Sequence, residues 1–151
     1  MPGADDRTVE RMQRWIRAEH ATLVVVLSAL VLMHARGVAW ERFAAAFALI
    51  DLVGYAPGAI AFRLARGRRI APRYHHLYNL THSYLVAGAG VALWTIAAGR
   101  IEWAMLAVPI HLSGDRGLLG NSFKPASLPF ESPARALRAT RPTKSAVEES
   151  R

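Results

Sequence analysis

The sequence predicts an all-α fold: a four-helix transmembrane bundle with both termini in the cytoplasm, followed by a mostly disordered C-terminal tail. Two observations predict it. Apolar residues make up 52% of the chain and charged residues 20%, yet the charges lie almost entirely between or outside four long apolar runs, and about 20 apolar residues cross a bilayer core as a helix. Lys and Arg are also concentrated in alternate connections, sixteen against three, and the basic connections of membrane proteins are cytoplasmic.

The four predicted helices belong to one domain, residues 1–120, and cover about 15–35, 40–62, 76–98 and 101–119. The second is interrupted only by Asp51, and its Gly54 and Pro57 predict a kink, which membrane helices tolerate where neighbours satisfy the freed backbone groups. In the fourth predicted helix only the first half is solidly apolar. We still predict that it spans the membrane, because an even number of spans is needed to place both basic ends of the chain in the cytoplasm. We therefore expect a multi-pass protein of the cytoplasmic (inner) membrane.

The basic residues predict the partners and the tail. Residues 121–151 are basic and rich in Pro, Ser and Ala, which predicts a mostly disordered segment with a short surface helix near 134–139. A net charge of +8 would suggest nucleic acid in a soluble protein. Here the basic residues cluster at the ends of apolar runs, so we expect membrane lipids as partners and no nucleic acid. Cysteine is absent, which excludes disulfides and thiolate metal ligands.

Four ionisable residues lie within the apolar runs: Asp51, His82, His111 and Asp115. A charged side chain near the bilayer centre costs roughly 3 kcal/mol on insertion scales, so such residues usually face the bundle interior and have a function there. His111 and Asp115 are four residues apart and share one helix face. The alternating topology places all four between the midplane and the cytoplasmic surface, which predicts that they meet in one site.

Two imidazoles and two carboxylates suit a divalent metal, with Zn, Mn or Fe preferred. Such a metal lowers the pKa of a water molecule that it binds, which provides a nucleophile near neutral pH. Five nearby side chains could orient the ligands, carry protons or hold an anionic substrate group: Tyr55, His75, His76, Asn79 and Arg116. Structural roles are the alternative, because Asp51 alone could accept a hydrogen bond between helices and Asp115 could pair with Arg116.

Three motifs, in this order, resemble a family of small bacterial integral membrane proteins. They are Asp51-Leu-Val-Gly-Tyr55, Tyr78-Asn-Leu-Thr-His82 and His111-Leu-Ser-Gly-Asp115-Arg, and the resemblance covers about half of the chain. More distantly, Thr-His-Ser at 81–83 and the His111…Asp115 pair are similar to the YdjM-like membrane-bound metal-dependent hydrolases. That resemblance implies metal-ligand roles for the four ionisable residues and hydrolysis of a phosphoester or a similar bond. The second histidine and the arginine that usually precede Thr-His-Ser are replaced here by other residues.

We therefore predict a buried metal site that is accessible from the cytoplasm. The preferred function is hydrolysis of lipid-linked or phosphorylated substrates at this site. The same groups could instead relay protons or cations in a small transporter, for which a homo-oligomer is expected because four short helices barely enclose a pathway. His82 and His111 could hold a haem across the bundle. A non-enzymatic membrane partner protein, docking through its tail, is the remaining alternative.

Overall fold

The computed structural model describes residues 4–131, with side chains from residue 8 onward, and every regular element in that range is helical. The α-helices are α1 (Ala4–Met33), α2 (Trp40–Gly54), α3 (Ala56–Leu64), α4 (Pro72–Thr81), α5 (Tyr84–Ala98) and α6 (Ala107–Gly114). Two 3₁₀ turns cover Ala35–Gly37 and Trp103–Leu106, and a π-helical turn covers Asp115–Leu119. The predicted all-α class is thus confirmed for the described residues.

Two helices are long and apolar enough to cross a membrane. They are Thr8–Met33 within α1 and Trp40–Leu64, in which α2 continues into α3. The backbone hydrogen bonds Tyr55 N–H to Asp51 O and Ala59 N–H to Tyr55 O, both 2.9 Å, connect the two parts of the second span. Pro57 lies in the first turn of α3, where its missing N–H costs little. Both spans are compatible with a membrane location.

The third predicted helix is broken in the structure. Residues 72–98 form α4 and α5, which meet at an angle of 55° after His82 and Ser83. Ser83 is extended (φ −84°, ψ 128°), and the Thr81 hydroxyl and the His82 ring hydrogen-bond back to carbonyl groups of α4. These local side-chain bonds compete with continued helix and account for the break. No residue of α5 is buried, as expected of an apolar helix that faces lipid.

The fourth predicted helix, 101–119, differs most from the expectation of one continuous span. It consists of a 3₁₀ turn, the eight-residue α6 and the π-helical turn, and it is too short to count among the spanning helices. Pro109 explains the tight first turn, because a proline ring clashes with the carbonyl four residues earlier in an α-helix. α6 packs against α1 and α2 and has Leu112 and Ser113 fully buried. It therefore lies at the centre of the bundle.

The segment after the π-helical turn, predicted as the start of a disordered tail, packs against α3 and α4. We call residues 121–131 the strap. Asn79 pairs with the backbone of Lys124 through bonds of 2.7 and 3.0 Å, and Phe130 is only 1% exposed, with its ring against Gly58. Backbone pairing and aromatic burial hold the strap despite its lack of regular structure. Residues 132–151, including the predicted surface helix at 134–139, lie outside the described residues.

Candidate metal centre

The structure brings together the four ionisable residues of the apolar segments, which we call the Asp/His cluster: Asp51, His82, His111 and Asp115. One ligand atom from each lies within 4.8 Å of all the others. The Nε2 atom of His82 is 3.2 Å from Asp115 Oδ2 and 3.4 Å from Asp51 Oδ1. The Nε2 atom of His111 is 3.6 Å from Asp51 Oδ1 and 4.0 Å from Asp115 Oδ2. Both imidazoles thus face both carboxylates.

Breaks in regular α-helix place three of the four ligands. Asp51 lies in the last turn of α2, one turn before the junction with α3. His82 is the residue that ends α4 at the 55° bend, and Asp115 begins the π-helical turn that follows α6. Short π-helical segments are frequent at functional sites. The bends direct side chains from separate helices toward one point.

Gly54 permits the close approach of α2 to α4. A Cβ atom built on Gly54 would overlap the Thr81 side chain and would lie 3.2 Å from Cε1 of His82. Glycine is therefore needed at this position for the two helices to pack as closely as they do. That close packing brings Asp51 within reach of His82, so Gly54 contributes to the site through the backbone.

Hydrogen bonding fixes the tautomer of His82. Its Nδ1 atom lies 3.0 Å from the Tyr78 carbonyl oxygen, which can only accept a hydrogen bond, and 3.0 Å from the Thr81 hydroxyl. Nδ1 therefore carries the hydrogen, and in the neutral ring Nε2 has a lone pair. That lone pair faces two carboxylate oxygens at 3.2 and 3.4 Å. Three electron-rich atoms in contact require a cation or an added proton between them.

His111 and Asp115 complete the arrangement. Neither ring nitrogen of His111 has a hydrogen-bond partner among the described residues, although the side chain is only 5% exposed. The His111 ring packs edge-on against Phe47, with centroids 4.7 Å apart. The amide of Asn121 donates to Asp115 Oδ1 at 3.4 Å, which leaves Oδ2 for the cluster. Buried polar atoms without partners are rare, and a bound ion is one explanation for them.

The dimensions of the cluster suit a small cation. Four ligands about 2.0–2.1 Å from a tetrahedral zinc ion lie about 3.3 Å from one another. The four imidazole-to-carboxylate separations, 3.2 to 4.0 Å, are close to that spacing, and no pair of ligand atoms exceeds 4.8 Å. Small side-chain adjustments would place all four ligand atoms around one ion. The cluster could therefore hold a metal.

The charges of the cluster also suit a divalent ion. Two carboxylates and two neutral imidazoles carry a net charge of −2, which a divalent cation neutralises. The side chains of His82, His111 and Asp115 are 5%, 5% and 11% exposed, whereas that of Asp51 is 51% exposed. Burying uncompensated charge is costly, so neutralisation would stabilise the three enclosed groups. Asp51 marks the open side of the cluster.

Three of the supporting residues predicted from the sequence contact the strap. The Tyr55 hydroxyl donates to Glu131 at 2.8 Å, His75 Nε2 lies 3.2 Å from the Leu128 carbonyl oxygen, and Asn79 pairs with the Lys124 backbone. His76 is exposed in a surface groove lined also by Arg73 and Phe123. Tyr55, His75 and Asn79 are near the cluster in sequence, and their hydrogen bonds hold the C-terminal segment in place.

Arg116 makes contacts other than those expected from the sequence. Its guanidinium donates to the carbonyl oxygens of His82 at 2.8 Å and Leu112 at 3.1 Å, and it lies over the Tyr84 ring at 4.6 Å. The expected pairing with Asp115 is absent from the ion pairs of the described residues. Since the bend after α4 removes the helical partner of the His82 carbonyl, Arg116 satisfies that group and holds the bend.

Three side chains with roles at the cluster were not among the predicted site residues. Tyr78 stacks on the His82 ring with centroids 3.9 Å apart, Thr81 contacts Nδ1 of His82, and Asn121 binds Asp115. Tyr78 lies four residues before His82, so helical spacing offered a signal for Tyr78. Thr81 directly precedes His82, and helical spacing offered no signal for it. Asn121 lies beside Asp115 because Gly120, in the left-handed region (φ 68°), ends the π-helical turn and the Asn121 N–H bonds to the Asp115 carbonyl oxygen at 2.7 Å, which sequence spacing does not reveal.

The haem alternative does not fit the geometry. The rings of His82 and His111 are 5.7 Å apart, and their planes are inclined at 62°. Carboxylate oxygens of Asp51 and Asp115 lie 3.2 to 4.0 Å from the two Nε2 atoms. They occupy the space that a porphyrin between the imidazoles would need.

Comparison of the chain with protein-family models, curated proteins and solved structures finds no match. The resemblance to small bacterial membrane proteins and to the membrane-bound hydrolases therefore stays a prediction from three motifs.

Proposed function

We propose that this chain is a multi-pass protein of the cytoplasmic membrane, with both termini inside, and that its Asp/His cluster binds a divalent metal and supports hydrolysis. The single observation that carries the metal proposal is the lone pair of His82 Nε2, which faces carboxylate oxygens of Asp115 and Asp51 at 3.2 and 3.4 Å. A cation held by His82, Asp51 and Asp115 would replace the repulsion among these three atoms with metal–ligand attraction. The two candidate spans support the membrane location.

The ligand set favours Zn, Mn or Fe. Imidazole prefers Zn and Fe among these metals, carboxylates also admit Mn, and the absence of thiolates removes the ligands that select softer ions. The separations of 3.2 to 4.0 Å are nearest to those of a compact tetrahedral site, which zinc prefers. We therefore expect zinc to bind most tightly of the three.

The chemistry follows from how firmly each ligand is held. A divalent ion in the cluster supplies a Lewis acid and lowers the pKa of a water molecule. His82 is oriented by Tyr78 and Thr81, and Asp115 by Asn121. Asp51 has no comparable anchor and is half exposed, so it is the ligand that substrate can displace or that can accept a proton. Attack of water on a phosphoester is the reaction that the motif resemblance favours.

Elemental analysis of the detergent-purified protein tests metal binding. We expect about one zinc, manganese or iron per chain, lost on single replacement of His82, His111 or Asp115 by Ala because three ligands hold a metal far less tightly than four. His76→Ala is the matched control, since His76 is exposed outside the cluster. Equal metal content in all variants, or none in the unchanged protein, would refute the proposal.

Turnover tests the hydrolase proposal separately. The metal-loaded protein in mixed micelles would be assayed with a soluble phosphodiester and with a phospholipid as substrates. We expect phosphate-ester cleavage that chelation abolishes and that metal addition restores. Stoichiometric metal binding without cleavage of either substrate would retain the metal site and reject the hydrolase assignment.

A proton or cation relay is the second candidate, because a proton shared by His82 and the two carboxylates would also satisfy Nε2. In that case the protein would function without metal. Proteoliposomes of chelated protein under a pH gradient distinguish the two functions: the relay predicts flux, and the metal proposal predicts none.

A further inference from the structure

The open side of the Asp/His cluster lies on an apolar surface of α2. Asp51 is 51% exposed, while the other three ligands are at most 11% exposed. On the face of α2 that carries Asp51, the exposed side chains one and two turns before it are apolar: Ala44, Phe47 and Ala48. A site that opens to water is usually bordered by polar groups, whereas these residues belong to the candidate span Trp40–Leu64. The surroundings of Asp51 are those of a lipid-facing surface.

Small residues leave space beside Asp51 on one edge of α2. Ala44 and Ala48, seven and three residues before Asp51, lie on the same edge of the helix, and both are exposed. Ala45 is exposed too, but helical spacing places it about 120° from Asp51, compared with about 20° for Ala44 and about 60° for Ala48. An approaching molecule would therefore meet Asp51 along the edge that carries Ala44 and Ala48.

The strap closes the side of the cluster that faces the cytoplasm in the proposed topology. Tyr78 stacks on His82 and is 2% exposed, and Phe130 lies against Tyr78 and Gly58. The Lys124 ammonium donates to the Phe130 carbonyl oxygen at 2.7 Å and lies 4.8 Å from the Tyr78 ring. A packed layer of aromatic rings and a bonded ammonium thus separates His82 from that side.

From these observations we infer that the metal centre is entered sideways from the bilayer, past Asp51, and that its substrate is a membrane amphiphile. The inference rests on the proposed metal function. Gly58, at which the strap packs, is seven residues after Asp51, or about 10 Å at ~1.5 Å per residue. An inner-leaflet lipid could keep its apolar chains in the membrane while its polar ester group reaches Asp51 over that distance. A small water-soluble phosphoester lacks this route.

Two carbodiimides of different solubility test the route. Each adds a carboxyl group and a proton across a C=N bond, and the O-acylisourea so formed either rearranges to a stable N-acylurea or is converted by added glycinamide into a stable amide with release of the urea. Dicyclohexylcarbodiimide partitions into the bilayer, whereas a cationic carbodiimide stays in water. The full chain would be reconstituted in vesicles of phosphatidylethanolamine and phosphatidylglycerol, stripped of metal, and mapped by mass spectrometry. We expect the bilayer-soluble reagent to modify Asp51 at least about tenfold faster, because apolar transfer concentrates it in the membrane. Asp51→Asn must remove the modified peptide.

The outcomes separate this inference from the proposed function. Faster labelling by the cationic reagent, or no labelling of Asp51 by either, overturns the lateral route. If added Zn²⁺ does not suppress labelling by the bilayer-soluble reagent, the orientation of Asp51 is retained. The metal function, and the substrate inference that depends on it, are then overturned. Suppression by Zn²⁺ supports both.

A pair of alanine variants tests where the opening lies. Ala48→Phe would place a ring beside Asp51, so we expect several-fold slower labelling by the bilayer-soluble reagent and unchanged zinc content. Ala45→Phe adds the same ring elsewhere on α2 and should label like the unchanged protein. Equal labelling of the two variants would contradict an opening on the edge of Ala44 and Ala48.

Discussion

At the scale of single residues, the cluster depends on how firmly each ligand is oriented. His82 is held on three sides: the Tyr78 carbonyl and the Thr81 hydroxyl contact Nδ1, Tyr78 stacks on the ring, and Arg116 binds the backbone carbonyl. Groups that bind the far nitrogen of a ligating histidine fix its tautomer and ring orientation. His82 is therefore the ligand whose surroundings have most influence on metal affinity.

Replacing Thr81 by Val should weaken metal binding without removing a ligand. The change deletes the hydroxyl 3.0 Å from His82 Nδ1 and keeps the β-branched shape. Loss of such an outer partner typically lowers metal affinity by about 10- to 100-fold, and we expect the lower end because the Tyr78 carbonyl remains. Competition with a zinc chelator measures the change. Thr81→Ser keeps the hydroxyl and should bind like the unchanged protein, so equal weakening in both variants would count against this role.

A separate ion pair should make stability depend on pH. Arg42, 2.6 Å from Glu102 in the connection between α5 and α6, lowers the pKa of that carboxyl, and Arg100 adds to the shift. A lowered folded-state pKa gives stability that is present above the unfolded pKa, about 4.3, and is lost as pH falls through the folded value. We expect Glu102→Gln to lower Tm at pH 7 and to have little effect at pH 3. A Tm difference that persists at pH 3 would contradict the ion-pair explanation.

At the scale of helices, the close contact between α2 and α4 sets the geometry of the cluster. Gly54 allows this contact, since a Cβ there would overlap Thr81. The sequence predicted a kink near Gly54 and Pro57, but in the structure the larger bend lies after α4, where residues 72–98 turn by 55°. The side chains of Thr81 and His82 cause this bend, because they hydrogen-bond to preceding carbonyl groups in competition with the helical backbone bonds. The periodicity of apolar residues in the sequence does not reveal such competition.

Gly54→Ala should separate α2 from α4. We expect zinc content to fall well below one per chain and Tm to fall, because the added methyl group forces the helices apart or strains them. Gly88→Ala is the matched control, since no atom lies within 4 Å of its added Cβ. There alanine should leave zinc content unchanged and stabilise the helix by up to about 1 kcal/mol in intrinsic propensity. Normal zinc content in Gly54→Ala would show that the close contact does not position Asp51.

Phe130→Ala should detach the strap. Phe130 is 1% exposed and packs against Tyr55 and Tyr78, and truncating a buried phenylalanine costs about 3–5 kcal/mol. We expect faster proteolysis within residues 121–131 and a lower Tm. Leu128→Ala changes a side chain that is exposed in the same segment and should have a small effect. Equal proteolysis rates in the two variants would contradict the anchoring role of Phe130.

At the scale of the whole molecule, the sequence was most informative where composition sets the environment. Ionisable groups in apolar runs are costly unless they share one site, and the predicted alternating topology put all four at one depth, so their meeting could be predicted from cost and parity. The strap could not be predicted, because its order comes from Asn79 pairing with a distant backbone and from Phe130 packing on Gly58. Its Pro, Ser and Ala content is equally typical of disorder.

The fourth predicted helix, residues 101–119, is a second part of the chain whose structure could not be predicted from the sequence. Charge parity predicted a fourth chain crossing at residues 101–119, whereas the structure has a 3₁₀ turn, α6 and a π-helical turn in this range. α6 packs against α1 and α2, and a helix enclosed by others needs no long apolar surface of its own. Hydropathy alone does not distinguish a central helix enclosed by others from a short peripheral one.

X-ray absorption spectroscopy at the metal edge tests the central claim most directly, because it reports the ligands of the bound ion. For zinc-loaded protein in detergent, we predict about four nitrogen or oxygen ligands at about 2.0–2.1 Å and the outer-shell scattering of two imidazoles. His111→Ala should leave the scattering of one imidazole. A spectrum without imidazole scattering, or one that His111→Ala leaves unchanged, would contradict a metal centre formed by the Asp/His cluster.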